Sequence, residues 1–217
     1  MNFLNKALTF FIAMFFCAAA AAQQGIDDPH PQTLAAVRAG NLDKLTQLIE
    51  RGGANLNSRN RIGDSLLLMS IKGGKPDLAN YLLDKGADVN LANTAKGTPL
   101  MAAAYNGDLA MTERLLSRQA NVHAVDEQKK TAIVYAAAQG HTEVVARLLK
   151  AGVDANTRYA NELTALMWAA GQGHAETVKY LLEAGADASL KDNRGKTALD
   201  IADDLGHLSV RKVLTGQ

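Results

Sequence analysis

His141, His174 and His207 recur at one constant interval, and three imidazoles in register are the first arrangement in this chain that could hold a metal ion. A zinc site needs its ligand nitrogens about 2.0–2.1 Å from one ion. Equivalent residues of successive helical layers lie roughly 8–10 Å apart, so these rings are expected to serve helix starts instead of sharing an ion. The adjacent carboxylates Asp203 and Asp204, and Asp126 and Glu127, lie in polar stretches where solvent screens them. General acid–base work needs an enclosing pocket that shifts a pKa, and nothing in the pattern supplies one. Phosphate-loop, G-x-S-x-G and H-E-x-x-H patterns are all missing from the sequence. The chain is read as a non-enzyme with no cofactor and no metal site.

The N-terminal stretch through Ala22 differs from the rest: Lys6 precedes an apolar run from Ala7 to Ala22 that ends in alanines. That composition predicts a signal peptide over 1–22, cleaved after Ala22, with 23–31 as a flexible lead. A membrane anchor is disfavoured because the run from Ala7 to Ala22 stops short of the ~20 residues that span hydrocarbon. Lipidation of Cys17 is disfavoured by Phe15 and Phe16 before it. Cys17 is the one cysteine, so the mature chain would carry neither disulfide nor thiolate ligand. Loss of Lys6 would leave basic and acidic residues in equal number, without the basic footprint that nucleic acid demands.

The histidines belong to a longer rhythm. Ser65-Leu66-Leu67, Thr98-Pro99-Leu100, Thr131-Ala132-Ile133, Thr164-Ala165-Leu166 and Thr197-Ala198-Leu199 start at that same interval, as do Gly74, Gly107, Gly140, Gly173 and Gly206. Asn57, Asn90, His123, Asn156 and Ser189 keep the same beat. The first copy is longer by a single position, at Gly52-Gly53. Within a copy the pattern reads helix, tight turn, helix, extended loop. In the fourth, Thr131 is expected to cap the first helix, Gly140 to end it, and Gly152 to end the second, which carries Val144, Val145, Leu148 and Leu149. A period of about 33 residues signals a solenoid, whose end copies must be polar-faced caps.

Gly173-His174 with Leu181-Leu182 and Gly185-Ala186-Asp187, and Leu82-Leu83 with Gly86-Ala87-Asp88-Val89-Asn90, resemble the ankyrin repeat. The chain further resembles small exported bacterial members of that family. The resemblance implies an all-α solenoid of about six helix-turn-helix units with short β-hairpin-like loops: an N-terminal capping repeat at 32–60, repeats at 61–93, 94–126, 127–159 and 160–192, and a C-terminal cap at 193–217. Leu68, Met101, Val134, Met167 and Asp200 stand where the family often has histidine, which predicts apolar packing in place of a hydrogen-bond network.

The resemblance also implies binding of another protein along the hairpin tips and the exposed side of the first helices. The positions this assigns are Arg59, Arg61, Ile62 and Asp64, Thr94, Ala95, Tyr105 and Asn106. They continue with Glu127, Gln128, Lys130, Gln139, Arg158, Asn161, Leu163, Gln172, Arg194 and Lys196. Ile62, Tyr105 and Leu163 are the expected anchors, as apolar or aromatic residues at positions read as exposed. Trp168 is read as a core filler, with a role as contact anchor the alternative. The hairpin row carries more basic residues than acidic ones, which suggests a partner with a mildly acidic surface. The expected function is a monomeric periplasmic or secreted adaptor, chaperone-like partner or inhibitor. A secreted effector binding a protein of another cell is one alternative, and a small-molecule-binding or enzymatic use of the groove is another.

Overall fold

The computed structural model describes residues 31–52 and 54–217, with residues 51 and 52 described by their backbone alone. The expected signal peptide, Cys17, most of the expected lead and part of the Gly52-Gly53 turn lie outside the described residues. Twelve α-helices form six antiparallel pairs, with no sheet among the described residues. The pairs are α1 (Pro31–Ala39) with α2 (Leu42–Gly52), α3 (Leu66–Lys72) with α4 (Pro76–Asp84), and α5 (Pro99–Asn106) with α6 (Leu109–Ser117). They continue as α7 (Ala132–Gln139) with α8 (Thr142–Lys150), α9 (Ala165–Gly171) with α10 (Ala175–Glu183), and α11 (Ala198–Asp204) with α12 (Leu208–Thr215). Helix α1 begins at Pro31, inside the stretch expected to be flexible.

The two helices of a pair have different chemistry because they meet different surroundings. First helices are short and apolar on every side, as in Leu100-Met101-Ala102-Ala103-Ala104 of α5 and Ala136-Ala137-Ala138 of α7, all buried. A helix apolar all round must be enclosed, and each inner first helix packs between the first helices before and after it. Alanine lets those backbones approach closely. The second helices are amphipathic, with Val144, Val145 and Leu148 of α8 buried while Glu143 and Lys150 face water.

Caps fix where the first helices start. The hydroxyls of Ser65, Thr98, Thr164 and Thr197 accept from the amides of Leu68, Met101, Met167 and Asp200 at 3.1–3.3 Å. Each such bond satisfies an amide that the helix leaves without a partner, worth about 1 kcal/mol. At Asp200 the expected apolar packing gives way to a reciprocal cap, its carboxylate accepting from Thr197 N at 2.9 Å. Thr131 departs from the expectation as well, since its side chain makes no capping bond.

The repeats are also tied across their boundaries. His141, His174 and His207 each stand at the N-cap of a second helix, and their Nε2 atoms lie 3.0, 3.1 and 3.2 Å from the carbonyls of Tyr105, Ala138 and Gly171 in the preceding repeat. The imidazole of each lies flat against Gly107, Gly140 or Gly173, where an added Cβ would sit 2.5, 2.5 or 2.9 Å from the ring. Those glycines also hold φ of +70°, +76° and +79°. The histidines are thus bolts between layers, in keeping with the structural role expected of them. In the first junction Lys75 does the same work, its ammonium donating to the carbonyls of Val37 at 2.9 Å and of Arg38.

Candidate functional site

Five short loops, each returning from a second helix to the next first helix, place the residues expected to bind a partner. An Asx side chain shapes four of the five tips. Asn60 Oδ1 accepts from the amides of Ile62 and Asp64 at 3.0 and 2.9 Å, and Asn93 Oδ1 from Gly97 at 2.8 Å. Asp126 Oδ1 accepts from Gln128 and Lys130 at 2.8 and 2.9 Å, and Asp192 Oδ1 from Arg194 and Lys196 at 2.8 and 2.9 Å. The side chain mimics a backbone turn and leaves the two residues at the tip projecting.

Adjacent tips are joined by backbone bonds at three of the four junctions. Thr94 N donates to the Ile62 carbonyl, Glu127 N to Ala95 and Asn193 N to Asn161, at 3.0–3.1 Å. One tip amide in each of these pairs is thereby satisfied within the array.

Of the expected contact residues, Arg61, Thr94, Asn106, Glu127, Gln128, Arg158, Asn161 and Arg194 are exposed, as is Arg59, while Ile62, Tyr105, Gln139 and Gln172 are half-buried. Several of the exposed ones already have structural duties. Arg59 Nη1 donates to the Ala92 carbonyl at 3.0 Å and Arg158 Nη1 to Lys191 at 3.2 Å, each reaching one repeat forward. Thr94 Oγ1 donates to Ile62 and Asn106 Nδ2 to Ile71, both at 2.8 Å, reaching one repeat back. Arg194 is held by Asp192 through two bonds at 2.8 and 2.6 Å.

Four expectations of exposure fail. Leu163 is 7% exposed and belongs to the core; it occupies the last hairpin position, whose carbonyl accepts from Tyr159 N at 3.0 Å, so its side chain turns under the tip. Lys130, in the same register one repeat earlier, is 5% exposed. Its ammonium donates to Gln128 Oε1 at 2.8 Å and lies 4.8 Å from the centroid of the Trp168 ring. Asp64, again in that register, is buried with its carboxylate 2.8 Å from the Lys72 ammonium. Tyr105 stands edge-on to Tyr135, the centroids 6.2 Å apart at 75°. Trp168 is itself 8% exposed, which places it with the core.

Asp126, Lys130, Tyr135 and Trp168 make a buried polar cluster on the hairpin side. The Tyr135 hydroxyl donates to Asp126 Oδ2. Burial, with the carboxylate beside it, holds that phenol above its ordinary value. Burial also pushes the Lys130 ammonium down to about 8, although the Asp126 charge pulls the other way. Every member is engaged with another member, and the arrangement braces the third hairpin against α7 and α9.

Sequence reading missed what Asn57, Asn90 and Asn156 do. Each Oδ1 accepts from an amide of the next repeat, Asp88, Asn121 or Asp187, at 2.7–3.0 Å. Their common register was the available signal.

A family model described as ankyrin repeats, three copies, matches residues 32–126, 74–159 and 133–217. No curated protein matches the chain. The match spans well over half the sequence, and together with the six stacked helix pairs it leads to one conclusion: the chain belongs to the ankyrin-repeat family.

Proposed function

We propose that this protein is a non-catalytic binding module, exported from the cell that makes it, which holds a partner protein against its hairpin tips. Ankyrin repeats are in general protein–protein interaction modules, and the family is typically without enzymatic activity. The supporting observation is the division of labour in the hairpins: backbone bonds tie three of the four junctions between successive tips, while Arg61, Glu127, Gln128 and Asn161 are exposed at those tips. Side chains carried on a tied frame lose little freedom on binding, so less of the gross contact energy is cancelled. The apolar run before Ala22 supports export to the periplasm or beyond it, and the basic excess of the row supports a mildly acidic partner surface.

The test is affinity capture from periplasmic extract and from culture medium, comparing the protein with an Arg61→Glu, Asn161→Arg double variant. A partner retained by the first and lost by the second is the expected result. Equal recovery by both would remove the hairpin tips as the binding face.

A further inference from the structure

Loop-to-loop ties recur at every junction between successive hairpins except one. From the first to the second run the Asn57 and Arg59 bonds and the Thr94–Ile62 backbone bond; from the second to the third run Asn90 and the Glu127–Ala95 bond; from the fourth to the fifth run Asn156, Arg158 and the Asn193–Asn161 bond. Between the third and fourth, none of these forms among the described residues. The reason is in the sequence. His123 stands in the register of the bridging asparagines, Val125 in that of Arg59 and Arg158, and Tyr159 in that of the turn-shaping Asn60, Asn93, Asp126 and Asp192.

A groove of about 550 Å³ opens at that junction, within the range of about 300–1,000 Å³ usual for ligand sites. Its apolar surface comes from Val122, Val125, Val153 and Tyr159. Val125 is 49% exposed, one of two large apolar residues so exposed among those described. The remaining lining includes Lys129, Arg158 and His123, and no carboxylate. Lys129 forms no ion pair among the described residues, and Arg158 shares its guanidinium with Glu162 at 3.2 Å.

Without an Asx side chain at 159, the fourth tip becomes a 3₁₀ turn over Ala160–Glu162, with Asn161 at φ +58° and Glu162 at +61°. Lys129 at φ +57° and Glu162 share a register with Gly63, Lys96 (φ +60°) and Gly195, so left-handed backbone at that position is common to all five hairpins. What sets the fourth apart is the left-handed Asn161.

We propose that this groove is a docking slot for an acidic peptide segment of a partner protein, inserting one apolar anchor residue between the third and fourth hairpins. The anchor covers Val125 and Tyr159, while flanking carboxylates meet Lys129 and Arg158. This rests on the protein-binding reading above but uses the flank of the hairpins, not their tips.

The test is fluorescence anisotropy of the full chain with labelled pentapeptides at low salt. Glu-Glu-Leu-Glu-Glu is expected to bind, with Glu-Glu-Ala-Glu-Glu about tenfold weaker for want of its anchor and Lys-Lys-Leu-Lys-Lys not detected. Val125→Glu and, separately, Lys129→Glu are each expected to weaken the leucine peptide at least about fivefold by charge repulsion, while Lys212→Glu, an equal charge reversal at an exposed position of α12, leaves it unchanged. Two substituted sites keep the result readable should one variant misfold. Equal binding of the leucine and alanine peptides, indifference to both groove variants, or no binding of any peptide would each overturn the proposal. Binding of decanoate, measured by isothermal titration calorimetry, without binding of any peptide would reassign the slot to a small amphiphile and overturn it too. Loss of the slot leaves the hairpin-tip capture result standing, so the two readings fail separately.

Discussion

Replacing Gly140 by alanine should cost more than the same change at Gly206, and the excess measures one histidine bolt. Both glycines end a first helix with left-handed backbone, at φ +76° and +73°. That shared conformation penalises an alanine by about 1–2 kcal/mol at either site. At Gly206 nothing lies within 4 Å of the new methyl, whereas at Gly140 it would sit 2.5 Å from His174 Nδ1. The ring must therefore leave, and with it goes the contact of Nε2 with the Ala138 carbonyl at 3.1 Å, worth about 1 kcal/mol. Expected totals are about 1–2 kcal/mol for Gly206→Ala and about 2–3 kcal/mol for Gly140→Ala. Because the collision needs both partners, the Gly140→Ala, His174→Ala double variant should be less damaged than the sum of the singles by about 1 kcal/mol. The assay is urea denaturation followed by far-ultraviolet circular dichroism, comparing midpoints at equal slope. Equal costs for the two glycine variants, or additive singles, would refute the idea that these glycines are dictated by the imidazole of the next repeat.

Gln119 holds φ +63° in the register of Gly86, Gly152 and Gly185, so Gln119→Gly should raise the denaturation midpoint by the equivalent of about 1 kcal/mol. His123→Asn should restore the missing asparagine bridge to the fourth loop, adding about 1 kcal/mol of stability and slowing exchange of the Asp154 amide hydrogen. Burial, joined by the charges of His141 and His207, lowers the pKa of His174 against the contact with the Ala138 carbonyl, so its folded value lies below the ordinary 6.5. The folded protein then binds fewer protons than the unfolded chain, and stability present above pH 6.5 is lost as pH falls from there through the folded value. His174→Gln should flatten that slope in melting curves recorded from pH 7.5 down to pH 5.

The periodic parts of the molecule were legible before the structure, because a solenoid repeats one packing problem. Left-handed glycines answer that problem in every described copy, and capping hydroxyls and alanine-rich first helices do so in most, so the rhythm exposes them. What the rhythm could not disclose was direction. Lys130 and Leu163 occupy the same hairpin position as Asp64 and Lys196, and one turn of backbone decides whether that side chain meets water or Trp168. Arg59, Thr94, Asn106 and Arg158 looked available for a partner because they are polar and irregular. Their use as bridges depends on carbonyls a full period away, which become neighbours only once the layers are stacked. His123, Val125 and Tyr159 could have been found, since all three break registers that the other repeats keep.

The pairing of Gly107, Gly140 and Gly173 with the histidine of the following copy crosses three repeat boundaries, those drawn at Thr131, Thr164 and Thr197. A segment cut from one threonine to the next carries the socket for its right-hand neighbour and the plug for its left-hand one, and never a matched set. Exchanging such a segment with a repeat of another protein therefore disturbs two seams at once. Each glycine lies one position more than a full repeat before its histidine, as Gly140 does before His174, so no single-repeat segment holds a matched pair wherever it is cut. A graft that preserves the seams must carry two successive repeats or meet neighbours that supply the missing glycine and histidine.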